Sequence, residues 1–263
     1  MTAALPKEEL NAMAKPTPIE LEVIRTTSLT EHMLRVTLGG DLLASFPKDQ
    51  ESAYIKLIFP QAEGKRPILR TYTIRNQRPT EIDVDFAIHD AKGPALTWAA
   101  NAQPGDRILV GGPGPKKLIQ HQADWFLLVG DLSALPAISV NLSKLPADAV
   151  GYAVIEVPSE SDIQSLDHPE KMELRWEINP QPDPNGEFLP SKVEALPWLE
   201  GTPAVWAACE FNSMRNLRRL LKQRADLPNS HLYLSSYWKI GQTEDEHKVA
   251  KRNDSEQAAA AVF

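Results

Sequence analysis

The stretch PILRTYTIR, residues 67–75, combines two arginines, two threonines and a tyrosine around a short β-branched run. On a strand, Arg70 and Tyr72 would share one face, which suits a ligand that carries both phosphate and a flat ring. A flavin dinucleotide is such a ligand. Arg70 would donate charge-assisted hydrogen bonds to its diphosphate, Tyr72 would stack on its ring, and Thr73 would offer a hydroxyl and an N–H. An edge strand with solvated arginines explains this run alone equally well.

A second candidate for phosphate binding follows one strand later, in FAIHDAKGPALTWAANA, residues 86–102. A strand is predicted to end at His89, a Gly-Pro turn follows, and a helix is predicted to begin near Ala95. Free N–H groups and the helix dipole at such a start favour an anion, and Gly93 lets the backbone approach it closely. A glycine turn before a helix is very common, so the segment gains its value from following RTYT.

The elements around these residues form two groups. Between residues 19 and 110, apolar residues mostly alternate with polar ones in six runs: IELEVIRT, HMLRVTL, YIKLIF, RTYTIR, IDVDFAI and DRILV. Alternation between turn residues is typical of antiparallel strands with one buried face. Six such runs predict a small antiparallel β-barrel or sandwich, with a helix over PALTWAANA between the fifth and sixth.

From Trp125 onward the pattern changes to short, mostly continuous apolar runs, WFLLVG, YAVIEV, AVWAACE and LYLSSYW, as expected of strands covered on both faces. ELRWEI alternates and is predicted near a sheet edge. Helices are predicted over residues 133–144, 191–196 and 212–225, and strand–helix alternation favours a doubly wound parallel α/β sheet. We expect a barrel domain over residues 18–120, an α/β domain over 121–243, and a tail over 244–263 that forms a terminal helix or stays partly disordered.

Four motifs, RTYTIR, DFAIHDAKGPALTWAANAQPGDRILVGGPGP, LLVGDLSALPAI and YWKIGQTEDEH, together resemble the siderophore-interacting protein family over residues 19–247. The resemblance implies a ferredoxin-reductase-like ferric-siderophore reductase with a flavin-binding barrel and a nicotinamide-binding α/β domain. It assigns the cofactor to Arg70, Thr71, Tyr72, Thr73, His89, Gly93, Pro94, Ala95 and Leu96, with Thr97 replacing a hydroxyl usual at position 96, and to Asp131, Ser133, Ala134 and Pro136 on a nucleotide-binding turn. It places Gly130 and Glu210 at the nicotinamide.

The expected reaction is electron transfer centred on bound FAD, because no residue of these motifs demands covalent chemistry. An anionic ferric siderophore is repelled by a chain of net charge −7, so a local basic patch is needed within about a Debye length, roughly 8–10 Å. The resemblance points to Lys56 and Lys239 for this task, and Arg75 is a further candidate from sequence alone. Each lysine could equally be a solvated surface charge.

The electron donor stays open. VIEVPSESDIQ, after the second α/β strand, carries acids and no arginine, which favours NADH over NADPH because a 2′-phosphate usually binds arginine. The TEDEH segment resembles the family branch associated with NADH or ferredoxin, so reduced ferredoxin is a second possible donor and partner. Two alternative functions are a general ferredoxin or flavin NAD(P)H reductase and a non-catalytic ferric-siderophore carrier; the intact RTYT run argues against the carrier.

Composition excludes several other classes. The net charge of −7 argues against nucleic-acid binding, and no window of eighteen apolar residues predicts a membrane-spanning helix. The first eighteen residues lack an apolar signal region, and the single cysteine, Cys209, leaves neither an internal disulfide nor a cysteine-based metal site. The cytoplasm is therefore the expected location, and a monomer is expected because no heptad pattern demands association.

Overall fold

Six antiparallel strands close into a barrel in the first part of the chain. The computed structural model describes residues 17–89, 93–224 and 227–260, so Asp90–Lys92 of the predicted phosphate-binding motif, Ala225 of a predicted helix and residues 261–263 of the tail lie outside it. The barrel strands are β1 Ile19–Thr30, β2 Met33–Gly39, β3 Tyr54–Phe59, β4 Ile68–Arg78, β5 Glu81–Ala87 and β6 Arg107–Gly111. Their order is β1-β2-β5-β4-β3-β6, and β6 closes the barrel because it pairs with both β1 and β3.

The apolar side chains of the alternating runs fill the core of this barrel. On β5, for example, Ile82, Val84 and Phe86 are fully buried in its core. Helix α1, Pro94–Asn101, lies between β5 and β6 and adds the buried side chains of Ala95 and Ala99 to the same core. The predicted antiparallel barrel with one helical interruption is confirmed.

A five-stranded parallel sheet follows, with strands β7 Trp125–Asp131, β8 Gly151–Val157, β9 Met172–Ile178, β10 Pro203–Glu210 and β11 Leu232–Trp238. Its helices are α2 Leu135–Ser143, α3 Phe188–Glu194, α4 Phe211–Arg224 and α5 Glu244–Ala260. The strand order is β11-β10-β7-β8-β9, and all strands are parallel. Strands β7 to β9 extend to one side and β10 to β11 to the other, so the topological switch point lies between the neighbouring strands β7 and β10. Such a switch point opens a crevice at the carboxyl ends of the two strands.

Two local predictions differ from the structure. Helix α3 spans Phe188–Glu194 instead of residues 191–196, because the Asp183 carboxylate accepts the N–H groups of Glu187 and Phe188 and fixes an earlier start. Strand β11 is an edge strand and is mostly half-buried, although its continuous apolar run predicted cover on both faces. β9, predicted near an edge, does lie at the other edge.

The barrel and the sheet are joined by a buried carboxylate. Asp162, in the 3-10 helix Glu160–Asp162 after β8, is fully buried. It accepts hydrogen bonds from the Thr30 hydroxyl at 2.8 Å, the His32 N–H at 2.9 Å and His32 Nδ1 at 2.8 Å, all on the β1–β2 turn. This contact holds the two halves together at one end of the seam. Among the helices that the structure describes, none is long and apolar enough to cross a membrane.

Candidate functional site

The first half of β4 has a free edge. Residues 68–73 pair with β3, but β4 pairs with β5 only from Ile74 onward. The N–H of Ile74 donates to the carbonyl of Ala53, on the β3 side. Because successive N–H groups of an antiparallel strand point to opposite sides, the amides of Thr71 and Thr73 point away from β3. These two amides line an edge that no described strand covers.

Helix α5 brings two carboxylates to this edge. Glu244 Oε1 accepts the Thr71 hydroxyl at 2.9 Å, and Glu244 Oε2 accepts the Thr71 N–H at 3.4 Å. The Arg70 guanidinium lies 3.8 Å from Glu244 Oε2 and 3.5 Å from Asp245 Oδ2. We call Arg70, Thr71 and the outward amide of Thr73 the anion-binding edge, since two of its members already hold carboxylates.

Tyr72 lies between the anion-binding edge and the barrel core. Its ring centroid is 4.3 Å from that of Phe86, which is in turn 6.1 Å from Trp98 of α1. Burial, aided by the Glu244 carboxylate, raises the pKa of the Tyr72 phenol, so its hydroxyl stays protonated at physiological pH. Tyr72 therefore presents a neutral ring held by aromatic neighbours, which suits stacking on another flat ring.

The start of α1 offers a second place for an anion. Gly93 is the N-cap, Pro94 is the first helical residue, and the first intrahelical bond runs from the Thr97 N–H to the Gly93 carbonyl at 2.9 Å. The amides of Ala95 and Leu96 precede that bond and have no carbonyl partner within the helix. Their N–H groups and the helix dipole favour negative charge at this point.

The nucleotide-binding turn predicted after β7 is organised by Asp131. One oxygen of this buried carboxylate accepts the N–H of Ser133 at 3.0 Å, and the other accepts the N–H of Glu210 at 2.9 Å and the indole N–H of Trp238 at 2.8 Å. Burial raises its pKa, although these donors oppose the shift. Asp131 thus ties β7, β10 and β11 together at the switch point.

The other predicted residues of this crevice are closely packed. A Cβ at Gly130 would lie 2.7 Å from the Ala208 carbonyl oxygen and 2.8 Å from Ala134 Cβ, so only glycine fits. Ala134 and Pro136 are buried at the start of α2. The Glu210 carboxylate accepts the Ser213 N–H at 3.2 Å and the Ile240 N–H at 3.2 Å, so it caps α4 and fixes the segment after β11.

The crevice is acidic. Burial, together with the carboxylates of Asp131, Asp183 and Glu210, raises the pKa of Glu156, near the end of β8, to about 7 against the opposing effect of a hydrogen bond from Asn179. Four carboxyl groups thus lie within electrostatic reach of one another at the carboxyl ends of the strands. Their negative charge disfavours binding of an additional phosphate in the crevice.

The two predicted substrate lysines lie around α5. Burial lowers the pKa of Lys56; the Lys248 ammonium adds to this shift and the Glu244 carboxylate opposes it. The Lys56 ammonium donates a hydrogen bond to the Thr71 hydroxyl. The Lys239 ammonium lies 4.6 Å from the Phe211 ring centroid. Its charge, like those of Lys248 and Lys251, lowers the pKa of His247 on α5. We call Lys56, Lys239, Lys248 and Lys251 the lysine cluster.

The other two predicted residues are Arg75 and His89. Arg75 donates to the Asn76 side chain at 3.0 Å, and its charged neighbours are Arg35, Asp83, Asp85 and Asp167 instead of the lysine cluster. His89 is exposed directly before the residues outside the structure.

Sequence patterns missed four participants: Glu244, Asp245, Lys248 and Lys251, all on α5. Their chemistry depends on where α5 packs, which no local pattern encodes. One signal was present: Thr243 and Glu246 have the spacing of a capping box and so predict a helix start at this point.

Comparison with known proteins gives a consistent result over both halves of the chain. The family model described as siderophore-interacting FAD-binding domain matches residues 22–66 and 61–117. The model described as siderophore-interacting protein matches residues 123–241.

Individual proteins agree. The ferric vibriobactin reductase ViuB of Vibrio cholerae serotype O1 is 35% identical over 259 residues, which cover 89% of this chain and 94% of ViuB. The NADPH-dependent ferric-chelate reductase of Escherichia coli K12 is 27% identical, over 83% of this chain and 92% of that protein. The crystal structure of the siderophore-interacting protein SipS from Aeromonas hydrophila matches with a TM-score of 0.82 and 32% identity, covering 91% of this chain and 98% of that one.

Proposed function

The chain belongs to the siderophore-interacting protein family, and from this premise we propose that it is an FAD-dependent reductase of ferric siderophores. The observation that carries the proposal is the free edge of β4, where Arg70 and Thr71 bind anions beside the neutral ring of Tyr72. The names of two relatives, a ferric vibriobactin reductase and a ferric-chelate reductase, support the reaction class.

FAD fits the residues present, because Arg70 and Thr71 already hold carboxylates where a diphosphate would bind. When bound, FAD supplies the redox chemistry, since it accepts two electrons from a donor and can deliver them singly to ferric iron. In the proposed arrangement Arg70 binds the diphosphate, the outward amides of Thr71 and Thr73 donate hydrogen bonds to the cofactor, and Tyr72 stacks on its ring. The start of α1 adds the N–H groups of Ala95 and Leu96, which no carbonyl within the helix accepts, for a second phosphate oxygen.

The lysine cluster would hold the ferric siderophore. The Lys56 ammonium contacts Thr71 of the anion-binding edge, and Lys239, Lys248 and Lys251 lie within electrostatic range of His247 on α5. Together they would give a local positive potential on a chain whose net charge is −7. Ferrous iron binds hard oxygen ligands more weakly than ferric iron does, so we propose that reduction releases the metal. Because the relevant charges are partly exposed, binding of an anionic chelate should weaken as ionic strength rises.

For the electron donor we propose NADH in preference to NADPH. The crevice at the carboxyl ends of the sheet carries Asp131, Glu156, Asp183 and Glu210, and these carboxyl groups would repel the 2′-phosphate of NADPH. The Escherichia coli relative is named as NADPH-dependent, so donor choice is a property on which the two chains should differ. Reduced ferredoxin is the second candidate donor.

The experiment is a titration followed by a rapid mix. The purified chain should bind FAD and become yellow, and its flavin should be bleached anaerobically by NADH faster than by NADPH, with reduced ferredoxin as a parallel arm. Mixing the reduced protein with ferric catecholate and ferric hydroxamate chelates should reoxidise the flavin and yield Fe(II).

Each alternative gives a different result. A general flavin or ferredoxin reductase would be reduced by the donor but not reoxidised faster by ferric chelates than by buffer. A carrier would bind the chelate and take up no FAD, and that result would overturn the proposed function.

A further inference from the structure

We propose that the first turn of α5 is an internal anion that competes with FAD for the anion-binding edge of β4. This inference rests on the proposed function and adds a means of controlling it. Glu244 and Asp245 occupy the two groups to which the diphosphate is assigned, the Arg70 guanidinium and the Thr71 hydroxyl and N–H. FAD binding and the position of α5 are then coupled.

The contacts leave little of Arg70 for another anion. Its side chain is only 14% exposed, and one of its nitrogens, Nη1, also donates to the Leu69 carbonyl at 2.9 Å. Glu244 is the inner carboxylate, with 20% of its side chain exposed, whereas Asp245 is 66% exposed. A diphosphate that reaches the guanidinium must therefore displace Glu244 in particular.

The rest of α5 is fixed to the α/β domain. His247 Nε2 lies 2.9 Å from the Ser236 hydroxyl, the Lys251 ammonium donates to the Ser236 carbonyl at 3.0 Å, and Arg218 of α4 donates to Asp254 at 2.7 Å. These contacts seat the helix on β11 and α4, so its first turn reaches the barrel from the other domain. The competition therefore links the two domains directly.

The segment before α5 forms a tight turn. Gly241 has a φ of +71° with open space around it, and the Gln242 N–H donates to the Lys239 carbonyl at 3.1 Å, so a tight turn precedes the helix. A capping box then fixes the helix start: the Thr243 N–H donates to Glu246 at 2.8 Å, and the Glu246 N–H donates to the Thr243 hydroxyl at 3.3 Å. Opening of the first turn would move Glu244 and Asp245 away from Arg70, while the contacts from His247 onward keep the rest of α5 on β11 and α4.

The test compares FAD binding to three apoproteins by quenching of flavin fluorescence: the native chain, the double variant Glu244→Gln/Asp245→Asn, and Glu246→Gln. The double variant should bind FAD about three- to tenfold more tightly, the effect of removing the two partly exposed charge pairs that Arg70 makes with Glu244 and Asp245. Glu246→Gln removes the same type of charge one residue away but keeps the capping box, so it should bind as the native chain does. ADP carries the diphosphate without the flavin ring, so its affinity, measured by competition with FAD, should follow the same order among the three proteins.

A second measurement needs no variant. In hydrogen exchange on the native chain, the amides of residues 244–248 should exchange faster when FAD is bound, because the first turn has lost its contacts with β4. Equal FAD affinities of native and double variant, or unchanged exchange on FAD binding, would overturn the inference while leaving the flavin function in place. Failure of every variant to bind FAD would instead overturn the proposed function as well.

Discussion

Removing the Asp162 carboxylate should loosen the seam between the barrel and the α/β domain. Asp162→Ala deletes an acceptor that receives three hydrogen bonds from Thr30 and His32 on the opposite side of the seam. Asp162→Asn keeps the shape and one acceptor oxygen but removes the charge. The two variants therefore separate the loss of the contact from the loss of the charge.

The size of the effect follows from burial. A hydrogen bond to a charged group contributes about 1.5–3 kcal/mol, and removing one partner of a fully buried pair costs about 3–5 kcal/mol. Because the His32 side chain is 31% exposed, water can replace part of the hydrogen bonding that His32 loses when the Asp162 carboxylate is removed. We expect Asp162→Ala to lower the free energy of unfolding by about 3 kcal/mol, and Asp162→Asn by about half of that.

Urea unfolding followed by tryptophan fluorescence measures this loss. The matched control is Glu160→Gln, an exposed acid in the same 3-10 helix, which should unfold as the native chain does. Burial opposes ionisation of Asp162, but the Thr30 and His32 donors outweigh it and hold its pKa below the ordinary 3.8. Its stabilisation is therefore present above pH 4 and lost as pH falls through the lowered pKa, so native and Asp162→Ala should converge in acid. A loss below about 1 kcal/mol at pH 7 would refute the reasoning.

The remaining predictions concern charge at the site. Because burial raises the pKa of Glu156 to about 7, the folded state binds its proton more tightly, and stability should fall as pH rises from about 4.5 to 7. Glu156→Gln should flatten this dependence, measured as the difference in Tm between pH 5 and pH 8. The variant Lys56→Ala/Lys239→Ala should raise KM for an anionic ferric chelate about tenfold, measured per flavin-loaded chain at low salt.

Controls for these two come from exposed residues of the same types. Glu200→Gln should leave the difference in Tm between the two pH values as it is in the native chain, and a native-like difference in Glu156→Gln would contradict the raised pKa. Lys65→Ala/Lys171→Ala makes the same change in net charge away from the lysine cluster. If both double variants shift KM equally, the effect comes from net charge and not from the cluster.

Local patterns were sufficient for most of the architecture. Alternating apolar residues predicted all six barrel strands because burial of one face is written into each strand, and continuous runs predicted the parallel sheet for the corresponding reason. The start of α3 was missed because it depends on Asp183 folding back as a cap, which a general helix pattern does not reveal.

The site was predictable only in part. The spacing of Arg70 and Tyr72 predicted that they share one face of a strand, and β4 does contain both; their binding of a flavin stays a prediction. The Glu244 carboxylate, which contacts Arg70 and Thr71, is 173 positions from Thr71 along the chain. Asp162 and His32 are 130 positions apart. Such pairs are made by domain packing, so periodicity and motif spacing carry no information about them.

An unpaired strand edge is also a template on which another polypeptide can add a strand. In this barrel the hazard is concentrated at residues 68–73 of β4, because β6 seals the sheet elsewhere by pairing with both β1 and β3. The carboxylates of α5 and the charges of Arg70 and Lys56 shield that segment from intermolecular pairing. A chain cut before Glu244 would keep its barrel yet expose this template, so the C-terminal helix protects the protein against self-association as well as contacting its site.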